Sequence, residues 1–235
     1  MKVFTTDFVE KIRRTDSVAS FRFKPAEPFS FAAGQFLQVM FDPQNPADKE
    51  LNKYLSFSSA PGKEYIEVTK RLSESQFSAR LKALKSGDEV VVKAPLGKCV
   101  LGPGQERIAF VVGGIGITPV ISMLEDVYAR KLNVDAALFY SNRSEADIAF
   151  KPELDHWRAS HRLRVFYYLT DCPPRGKGCI FGRINSQALK ENLDDWPERQ
   201  VFIFGPPKMV EVMKAACLEA GCLPERIEIE NFVGY

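Results

Sequence analysis

A glycine-rich loop is the feature of the sequence with the clearest chemistry. The apolar run 108–112 reads as a buried strand, and it is followed at once by Gly113, Gly114, Gly116, Thr118 and Pro119. Threonine is a good helix N-cap and proline suits the first helical position, so the loop is expected to open a helix. The N–H groups and dipole of a helix start favour an anion, and glycines let the backbone approach a pyrophosphate. The loop therefore predicts a dinucleotide site, with a turn that needs glycine only for packing as the alternative.

Other kinds of site are not supported by the residue spacing. The loop is not a Walker loop, because no Lys-Ser/Thr pair follows it, and Thr118 stands where the GxGxxG fingerprint has its third glycine. The five cysteines include no CxxC pair and no run with the spacing of an iron–sulfur cluster. The two histidines, His156 and His161, lie in a charged stretch without an HExxH pattern. We therefore expect reduced thiols, exposed histidines and no metal.

The first hundred residues predict a β-rich domain. Alternating apolar and polar residues at 19–24 indicate a half-buried strand, and glycine and proline separate it from further predicted strands at 36–41, 65–70 and 89–93. One helical stretch is predicted at 75–84. Short strands in this arrangement are typical of a small antiparallel six-stranded β-barrel.

The pattern changes after the tetrapeptide 101–104. Beyond it, predicted strands alternate with predicted helices: strands at 108–112, 134–140, 163–169, 201–204 and 227–232, and helices at 120–131, 152–160, 186–193 and 208–220. This alternation indicates a parallel, Rossmann-like sheet with helices on both faces. The sequence therefore predicts a barrel domain at 1–103 and an α/β domain at 104–235.

The composition excludes several classes of protein. There are 32 basic and 30 acidic residues, a balance that argues against binding to nucleic acid or to an anionic membrane surface. No apolar run is long enough to span a bilayer, and the amino-terminal residues do not have the pattern of a signal peptide. We expect a cytoplasmic protein.

Several further segments carry a resemblance to a known family. The segment 53–61, KYLSFSSAP, resembles the RxYSxxS flavin motif of the ferredoxin–NADP reductase superfamily. The segments 34–36 (GQF), 95–97 (PLG) and 205–209 (GPPKM), together with the GGxGxTP loop, match the same family in its order. The resemblance covers nearly the whole chain. It implies an FAD-binding barrel followed by an NAD(P)-binding domain, without an iron–sulfur domain.

The resemblance implies roles for residues of the flavin motif. Lys53 replaces the arginine that contacts the flavin phosphates, and it keeps the charge but loses the bidentate fork. Leu55 replaces the tyrosine that packs on the flavin ring, while strand alternation is expected to turn Tyr54 the other way. Ser56 matches the serine beside flavin N5, and we expect it to be catalytic. The other flavin contacts expected nearby are Phe57, Ser58, Val68, Thr69 and Lys70.

A second flavin motif of the family, GxxS, corresponds to Ser75, Gln76, Phe77 and Ser78. Ser75 replaces the glycine, so a plain helix cap is the alternative to a phosphate contact here. FAD is expected in preference to FMN.

The resemblance also implies residues around the coenzyme. Glu230 matches the family's acidic residue near the nicotinamide and is expected to be catalytic, with a surface glutamate as the alternative. Phe204 replaces a cysteine of the family, and either Phe232 or Tyr235 is expected to cover the flavin. Asp171 would repel a 2′-phosphate, which favours NADH over NADPH, although Arg143, Arg175 and Lys177 are cations near the same site that could attract one. The remaining expected coenzyme contacts are Asn142, Gly205, Pro206, Pro207 and Met209.

Together these expectations describe an NAD(P)H-dependent flavoprotein reductase. The resemblance implies hydride transfer from NADH or NADPH to flavin N5, followed by single-electron transfer to a separate ferredoxin, flavodoxin or haem/oxygenase partner. A flavin-containing subunit of a larger oxidoreductase is one alternative, although the cysteine cluster of such subunits is missing. A non-catalytic nucleotide-binding module is another, and Leu55, Ser75 and Phe204 favour it.

Overall fold

The computed structural model describes residues 1–174 and 176–232, and its internal contacts divide the chain into two compact units. The first unit contains residues 1–101 together with 118–132. The second contains residues 102–117 and the chain from 133 onward. Tyr235 and Arg175 lie outside the described residues. The domain boundary at 103/104 stays a prediction.

The first unit is built on a six-stranded antiparallel sheet in the order β4-β3-β6-β1-β2-β5. Phe57, just after β4, forms a bridge with Val68 in β5, and Ser58 N donates to Glu67 O at 2.7 Å. These contacts bring the two outer strands together and nearly close the sheet, so the predicted barrel is confirmed. Its elements are β1 (Lys2–Arg13), β2 (Val18–Pro25), β3 (Phe36–Met40), β4 (Asn52–Ser56), β5 (Ile66–Arg71), helix α1 (Gln76–Ala83) and β6 (Glu89–Leu96).

Alternation of side chains explains the barrel core. Phe21 and Phe23 on β2 are fully buried and pack with Leu37, Val68 and Phe77, while Arg22 between them is partly exposed. Strand β1 was not predicted, because its sequence is mostly polar and only Thr6 and Phe8 are buried. It forms because it pairs with both β2 and β6, so backbone hydrogen bonds compensate for the missing apolar pattern.

The second unit contains a parallel sheet in the order β10-β9-β8-β7-β11-β12. The chain moves outward from β7 to β8 and β9, and then returns to the other side of β7 for β11 and β12. The switch point of this doubly wound sheet therefore lies between β7 and β11, where ligands of such folds bind. The strands are β7 (Arg107–Gly113), β8 (Asp135–Asn142), β9 (Arg164–Leu169), β10 (Cys179–Phe181), β11 (Gln200–Gly205) and β12 (Ile227–Asn231). The helices after β7 in the chain are α2 (Ile117–Ala129), α3 (Lys151–Ala159), α4 (Ser186–Asn192) and α5 (Pro207–Ala220).

Two details of the second half differ from the sequence-based expectation. The glycines form a 3-10 turn at Gly114–Gly116 that leads directly into α2, and the extended residue before the turn is Gly113. The prediction that Thr118 caps the helix was wrong, because the turn starts the helix earlier and leaves Thr118 buried inside it. The short edge strand β10 was not predicted, since it has only three residues and they are partly exposed. In the part of the chain that the structure describes, no helix combines the length and the apolar character needed to cross a membrane.

Candidate cofactor-binding sites

The carboxyl ends of five parallel strands gather the predicted coenzyme residues at one edge of the second unit. Gly113 at the end of β7 pairs with Ser141 of β8, and Asn142 pairs with Leu169 at the end of β9. On the other side of β7, Gly205 pairs with Asn231. The residues that the sequence placed near one ligand are thus neighbours in the sheet.

Close packing requires the glycines of the loop. A Cβ atom on Gly116 would lie 2.5 Å from the carbonyl oxygen of Phe204, and one on Gly113 would lie 2.2 Å from Met209 Sδ. Gly114 has a φ of 52°, and its carbonyl oxygen accepts a hydrogen bond of 3.0 Å from the Tyr140 hydroxyl. Gly113 and Gly116 are therefore needed for packing, and the backbone-lined turn at the helix start also has the features that favour an anion.

Asn142 provides an independent sign of a ligand. Its side chain is buried at the end of β8, and neither its amide nitrogen nor its amide oxygen has a hydrogen-bond partner in the described part of the chain. Leaving a buried polar group unpaired costs roughly 1–3 kcal/mol. A dinucleotide, which carries both donors and acceptors, fits this edge of the sheet.

The backbone holds the next two strand ends together. Thr170 N donates to Asn142 O and Asp171 N donates to Arg143 O, both at 3.0 Å. The Thr170 hydroxyl donates to the Asp171 carboxylate at 2.8 Å. The side chains of Asp171 and Arg143 are exposed, so both charges are available to a ribose or its phosphate.

The GPP segment starts α5 at the switch point. Pro206 is the extended residue before the helix and Pro207 is its first residue, and both are exposed. Met209 packs over the close approach of Gly205 and Gly113. Phe232 N donates to Gly205 O at 2.9 Å, so Phe232 is near this segment, whereas Tyr235 lies outside the described residues.

Glu230 lies on β12 opposite Phe204. Its side chain is half-buried, and burial raises its pKa to about 7. A carboxyl group that gains and loses its proton near neutral pH is typical of functional sites.

We expect Glu230 to give the protein a pH-dependent stability. Below pH 4.5 the carboxyl group is protonated in both the folded and the unfolded state. As pH rises from 4.5 to about 7, the unfolded chain ionises first, so the stability that protonation contributes is lost across this window. Glu230→Gln does not titrate, so its unfolding temperature should exceed that of the wild type by an amount that grows through this window and then levels off. A constant difference would contradict the raised pKa, and Glu228→Gln, an exposed position on the same strand, is the control.

In the first unit, β4 turns two neighbouring residues of the flavin motif to opposite sides. Tyr54 is 55% exposed and contacts Phe36 edge-on, while Leu55 is 2% exposed and belongs to the barrel core. The prediction that Tyr54 and Leu55 point to opposite sides is confirmed. Phe57 is also in the core and stacks on Phe31 with ring centroids 3.8 Å apart. Neither Leu55 nor Phe57 presents an exposed surface, and their contact with a flavin ring stays a prediction.

Two lysines are brought together on the inward rows of β4 and β5. Lys53 shares its row with Leu55, and Lys70 shares its row with Val68. Burial and the neighbouring Lys53 ammonium lower the pKa of Lys70 to about 8. An anion would relieve the repulsion between the two cations, so this pair fits the phosphate of a flavin nucleotide.

We expect flavin binding to depend on the protonation of Lys70. Below pH 8 its ammonium form attracts the flavin phosphate, and above pH 8 affinity should fall by up to about tenfold for each pH unit. Lys70→Met should bind flavin at least about tenfold more weakly at neutral pH, because 1.4 kcal/mol is a factor of ten, and should lose this slope. Fluorescence titration of flavin measures both effects. Lys24→Met, an exposed lysine of the same barrel, is the matched control, and an equal loss in both variants would contradict the assignment.

Other predicted flavin contacts have partners within the chain. The Thr69 hydroxyl is 2.6 Å from Ser20 Oγ and 2.7 Å from Ser58 Oγ, and Ser58 Oγ donates to Glu67 at 3.0 Å. Glu67 is buried and also receives hydrogen bonds from Arg14 and Arg22. These bonds join the strands where the barrel closes. A cofactor contact by Ser58 or Thr69 stays a prediction.

The segment 75–78 forms the start of α1. Ser75 is the N-cap, and its hydroxyl accepts from Ser78 N at 3.3 Å, so the plain-cap alternative describes the contact that is present. Phe77 and Ser78 are fully buried and Gln76 is exposed. A phosphate contact at this helix start stays a prediction.

The structure also joins two other segments that carried the resemblance. Gln35 Nε2 donates to Gly97 O at 3.0 Å, and Phe36 pairs with Leu96. One contact of the glycine loop was missed from the sequence, the Tyr140 hydroxyl. A tyrosine near the end of an otherwise apolar strand was the available signal.

Comparisons with known proteins identify a cofactor-binding domain family in each half of the chain. Residues 6–101 match the oxidoreductase FAD-binding domain, and residues 110–215 match the oxidoreductase NAD-binding domain. NADH-cytochrome b5 reductase 1 from Mycosarcoma maydis is 30% identical over 217 residues, which are 87% of this chain and 65% of that protein. The reductase component 1 of terephthalate 1,2-dioxygenase from Comamonas is 26% identical over 205 residues, 86% of this chain and 59% of that protein. The chain thus spans about two thirds or less of the length of these two relatives.

A solved structure confirms the arrangement of the fold. The FAD/NAD-binding domain of nitric oxide dioxygenase from Vibrio cholerae is 18% identical, covers 97% of this chain and 98% of its own, and superposes with a TM-score of 0.86. The two matched domains follow each other along the chain, in the order of the barrel and the parallel sheet. The chain therefore belongs to the ferredoxin–NADP reductase-like superfamily of flavoprotein oxidoreductases, with an FAD-binding barrel followed by an NAD-binding domain.

Proposed function

We propose that this protein is an NAD(P)H-dependent flavoprotein reductase that passes electrons to a separate protein acceptor. The observation that supports the proposal is that each unit has a feature suited to an anion. The first is the lysine pair of Lys53 and Lys70, and the second is the glycine loop at the switch point of the sheet. When bound, the two cofactors would supply hydride transfer from C4 of the reduced nicotinamide to N5 of the flavin, with the coenzyme oxidised and the flavin reduced.

On the flavin side, the residues of the chain bind and orient the cofactor. Lys53 and Lys70 neutralise a phosphate, and the start of α1 at Ser75 offers N–H groups to the second phosphate of FAD. We assign Ser56 to N5 of the flavin, because a hydroxyl both donates and accepts and so suits an atom that gains and loses a proton.

On the coenzyme side, the glycine loop and Asn142 bind the dinucleotide backbone. Glu230 provides a carboxyl group whose proton is exchangeable near neutral pH. Phe232, held by its backbone to Gly205, is our choice for an aromatic cover of the flavin.

We infer a preference for NADH from the exposed Asp171. Its carboxylate can accept hydrogen bonds from ribose hydroxyls and repels a 2′-phosphate. Asp171→Ser should therefore lower the KM for NADPH by about tenfold, equivalent to roughly 1.4 kcal/mol. Steady-state kinetics with both coenzymes measure this, and the KM for NADH, which should change little or rise, is the internal control. An unchanged KM for NADPH would place the ribose elsewhere.

The acceptor is proposed from the relatives. One is named for cytochrome b5, a haem protein, and the other is the reductase component of a dioxygenase. Both names support delivery of electrons to a second protein. We propose a one-electron protein acceptor of this kind, because a flavin can release its two electrons singly.

Anaerobic stopped-flow reduction tests the proposed function. The purified protein should be yellow, should bleach on mixing with NADH faster than with NADPH, and should regain its colour when oxidised cytochrome b5 or an oxidised ferredoxin is added. A yellow protein that neither coenzyme bleaches would overturn the proposal. A colourless protein that still binds NADH would favour a nucleotide-binding module without catalytic activity.

A further inference from the structure

One peptide group of the segment 53–61, which we call the flavin segment, forms hydrogen bonds to helix α2 through both its carbonyl oxygen and its N–H group. Ser122 Oγ donates to the carbonyl oxygen of Ser59 at 2.7 Å, and the N–H of Ala60 donates to Glu125 Oε2 at 2.8 Å. The Ser59 carbonyl and the Ala60 N–H belong to the same peptide unit. Ser122 and Glu125 are three residues apart and therefore share one face of the helix. We call these two hydrogen bonds the peptide clamp.

The rest of the flavin segment is held by the barrel itself. Phe57 N donates to Gln35 O at 3.1 Å, and Ser58 N donates to Glu67 O at 2.7 Å. The Ser59 hydroxyl accepts from Glu67 N at 3.0 Å. The Ser59–Ala60 peptide is the point at which the segment stops bonding to strands and bonds to the helix.

Burial of Ser122 and an ion pair of Glu125 stabilise the two hydrogen bonds of the clamp. Ser122 is fully buried, and a buried hydroxyl group destabilises the fold unless it forms a hydrogen bond. Glu125 provides a charge-assisted acceptor, and its position is fixed by Lys63, whose ammonium is 2.6 Å from the same oxygen.

Tight packing beside the clamp leaves the helix little freedom to shift. A Cβ atom on Gly34 would lie 2.3 Å from Met123 Cε and 2.4 Å from the carbonyl oxygen of Cys99. Met123 therefore fills the space against the Gly34 turn, next to the strand that pairs with the flavin motif.

Helix α2 is continuous with the glycine turn at its amino end, and Ser122 follows that turn within two helical turns. We infer that Ser122 and Glu125 are positioning residues for electron transfer. The clamp ties the Ser59–Ala60 peptide of the flavin segment to helix α2, so it holds this segment, and a flavin bound to it, in a fixed orientation. This inference rests on the proposed function.

Amide hydrogen exchange tests the clamp without any reaction. In the wild-type holoprotein the Ala60 amide should be strongly protected, and in Glu125→Ala its exchange should accelerate by at least about tenfold, the equivalent of one lost hydrogen bond of roughly 1.4 kcal/mol. Glu125→Gln keeps an acceptor for Ala60 N–H and should retain most of the protection. Equal exchange in wild type and Glu125→Ala would overturn the inference.

Rapid kinetics test what the clamp does. Ser122→Ala and Glu125→Ala should lower the limiting rate of flavin reduction by about 10–100-fold, since a small misalignment is enough for such a loss. Flavin content and the dissociation constant for NADH should stay within twofold of wild type. Glu125→Gln should recover most of the rate. The matched control is Asp126→Ala, which removes the neighbouring carboxylate that pairs with Arg130 on the same helix.

The outcomes separate the inference from the proposed function. If the wild type is not reduced by either coenzyme, the proposed function fails. If the wild type is reduced and both variants keep its limiting rate, only the inference fails. Loss of flavin from both variants, not restored by added FAD, would also overturn it, because the helix would then be needed for folding rather than alignment.

Discussion

Gly116→Ala is expected to weaken NADH binding by about 100-fold, the equivalent of roughly 2.8 kcal/mol, while flavin stays bound. The added Cβ would lie 2.5 Å from the Phe204 carbonyl oxygen and 2.8 Å from its carbon, and both are backbone atoms of strand β11 that cannot rotate away. The glycine turn must therefore move off the sheet edge, and overpacking of this kind costs about 1–3 kcal/mol. Titration of the oxidised holoprotein with NAD⁺, or of the flavin-free protein with NADH, measures the loss.

Gly176→Ala is the matched control for this prediction. It lies in the same unit, and a Cβ atom there would meet nothing within 4 Å. Its affinity for NADH should stay within twofold of wild type. If Gly116→Ala binds NADH as tightly as the control does, the coenzyme does not bind at this loop.

Arg199→Met is expected to destabilise the second unit by roughly 1–3 kcal/mol, because it leaves two backbone carbonyl oxygens and the Asp195 carboxylate without their buried donor. The Arg199 guanidinium is fully buried. It donates to both carboxylate oxygens of Asp195 at 2.5 and 2.8 Å, to the Asp135 carboxylate at 2.6 Å, and to the carbonyl oxygens of Ile108 and Asp135 at 3.1 Å. One side chain thus joins the starts of β7 and β8 to the chain that enters β11.

Arg164→Met tests whether burial of the arginine side chain explains the loss of stability expected for Arg199→Met. Arg164 bonds to the same Asp135 carboxylate at 2.8 and 2.9 Å, but its side chain is 45% exposed. An exposed pair of this kind contributes about 0–1 kcal/mol. Urea unfolding followed by tryptophan fluorescence compares the two variants, since Trp196 is buried three residues before Arg199. If Arg199→Met and Arg164→Met lost the same free energy of unfolding, burial of the arginine would not be the cause.

Side-chain alternation and helical periodicity predicted most of the fold. The phenylalanines of β2 and the apolar run of β7 bury one or both faces of a strand, and that requirement is visible in the sequence itself. Strand β1 could not be predicted from the sequence, because it is stabilised by pairing with a strand on each side rather than by its own side chains. The start of α2 was misplaced, because the glycines themselves form its first turn.

The site was predicted best where chemistry requires a residue type at a fixed spacing. The glycine loop at the end of β7 was predicted in this way, and the structure adds a packing reason for Gly116, which is its close approach to the backbone of Phe204. The peptide clamp was not found, because it joins residues more than sixty positions apart and neither Ser122 nor Glu125 belongs to a motif. Such contacts depend on tertiary packing.

The two ends of the strands in the second unit have different roles. The buried Arg199 ion pairs fasten the amino ends, while the glycine loop, Asn142 and Glu230 occupy the carboxyl ends. Substitutions that raise thermal tolerance can therefore be sought at the amino ends without the usual trade-off against turnover. By the same reasoning, related chains are free to diverge there in heat resistance while they keep the same coenzyme chemistry.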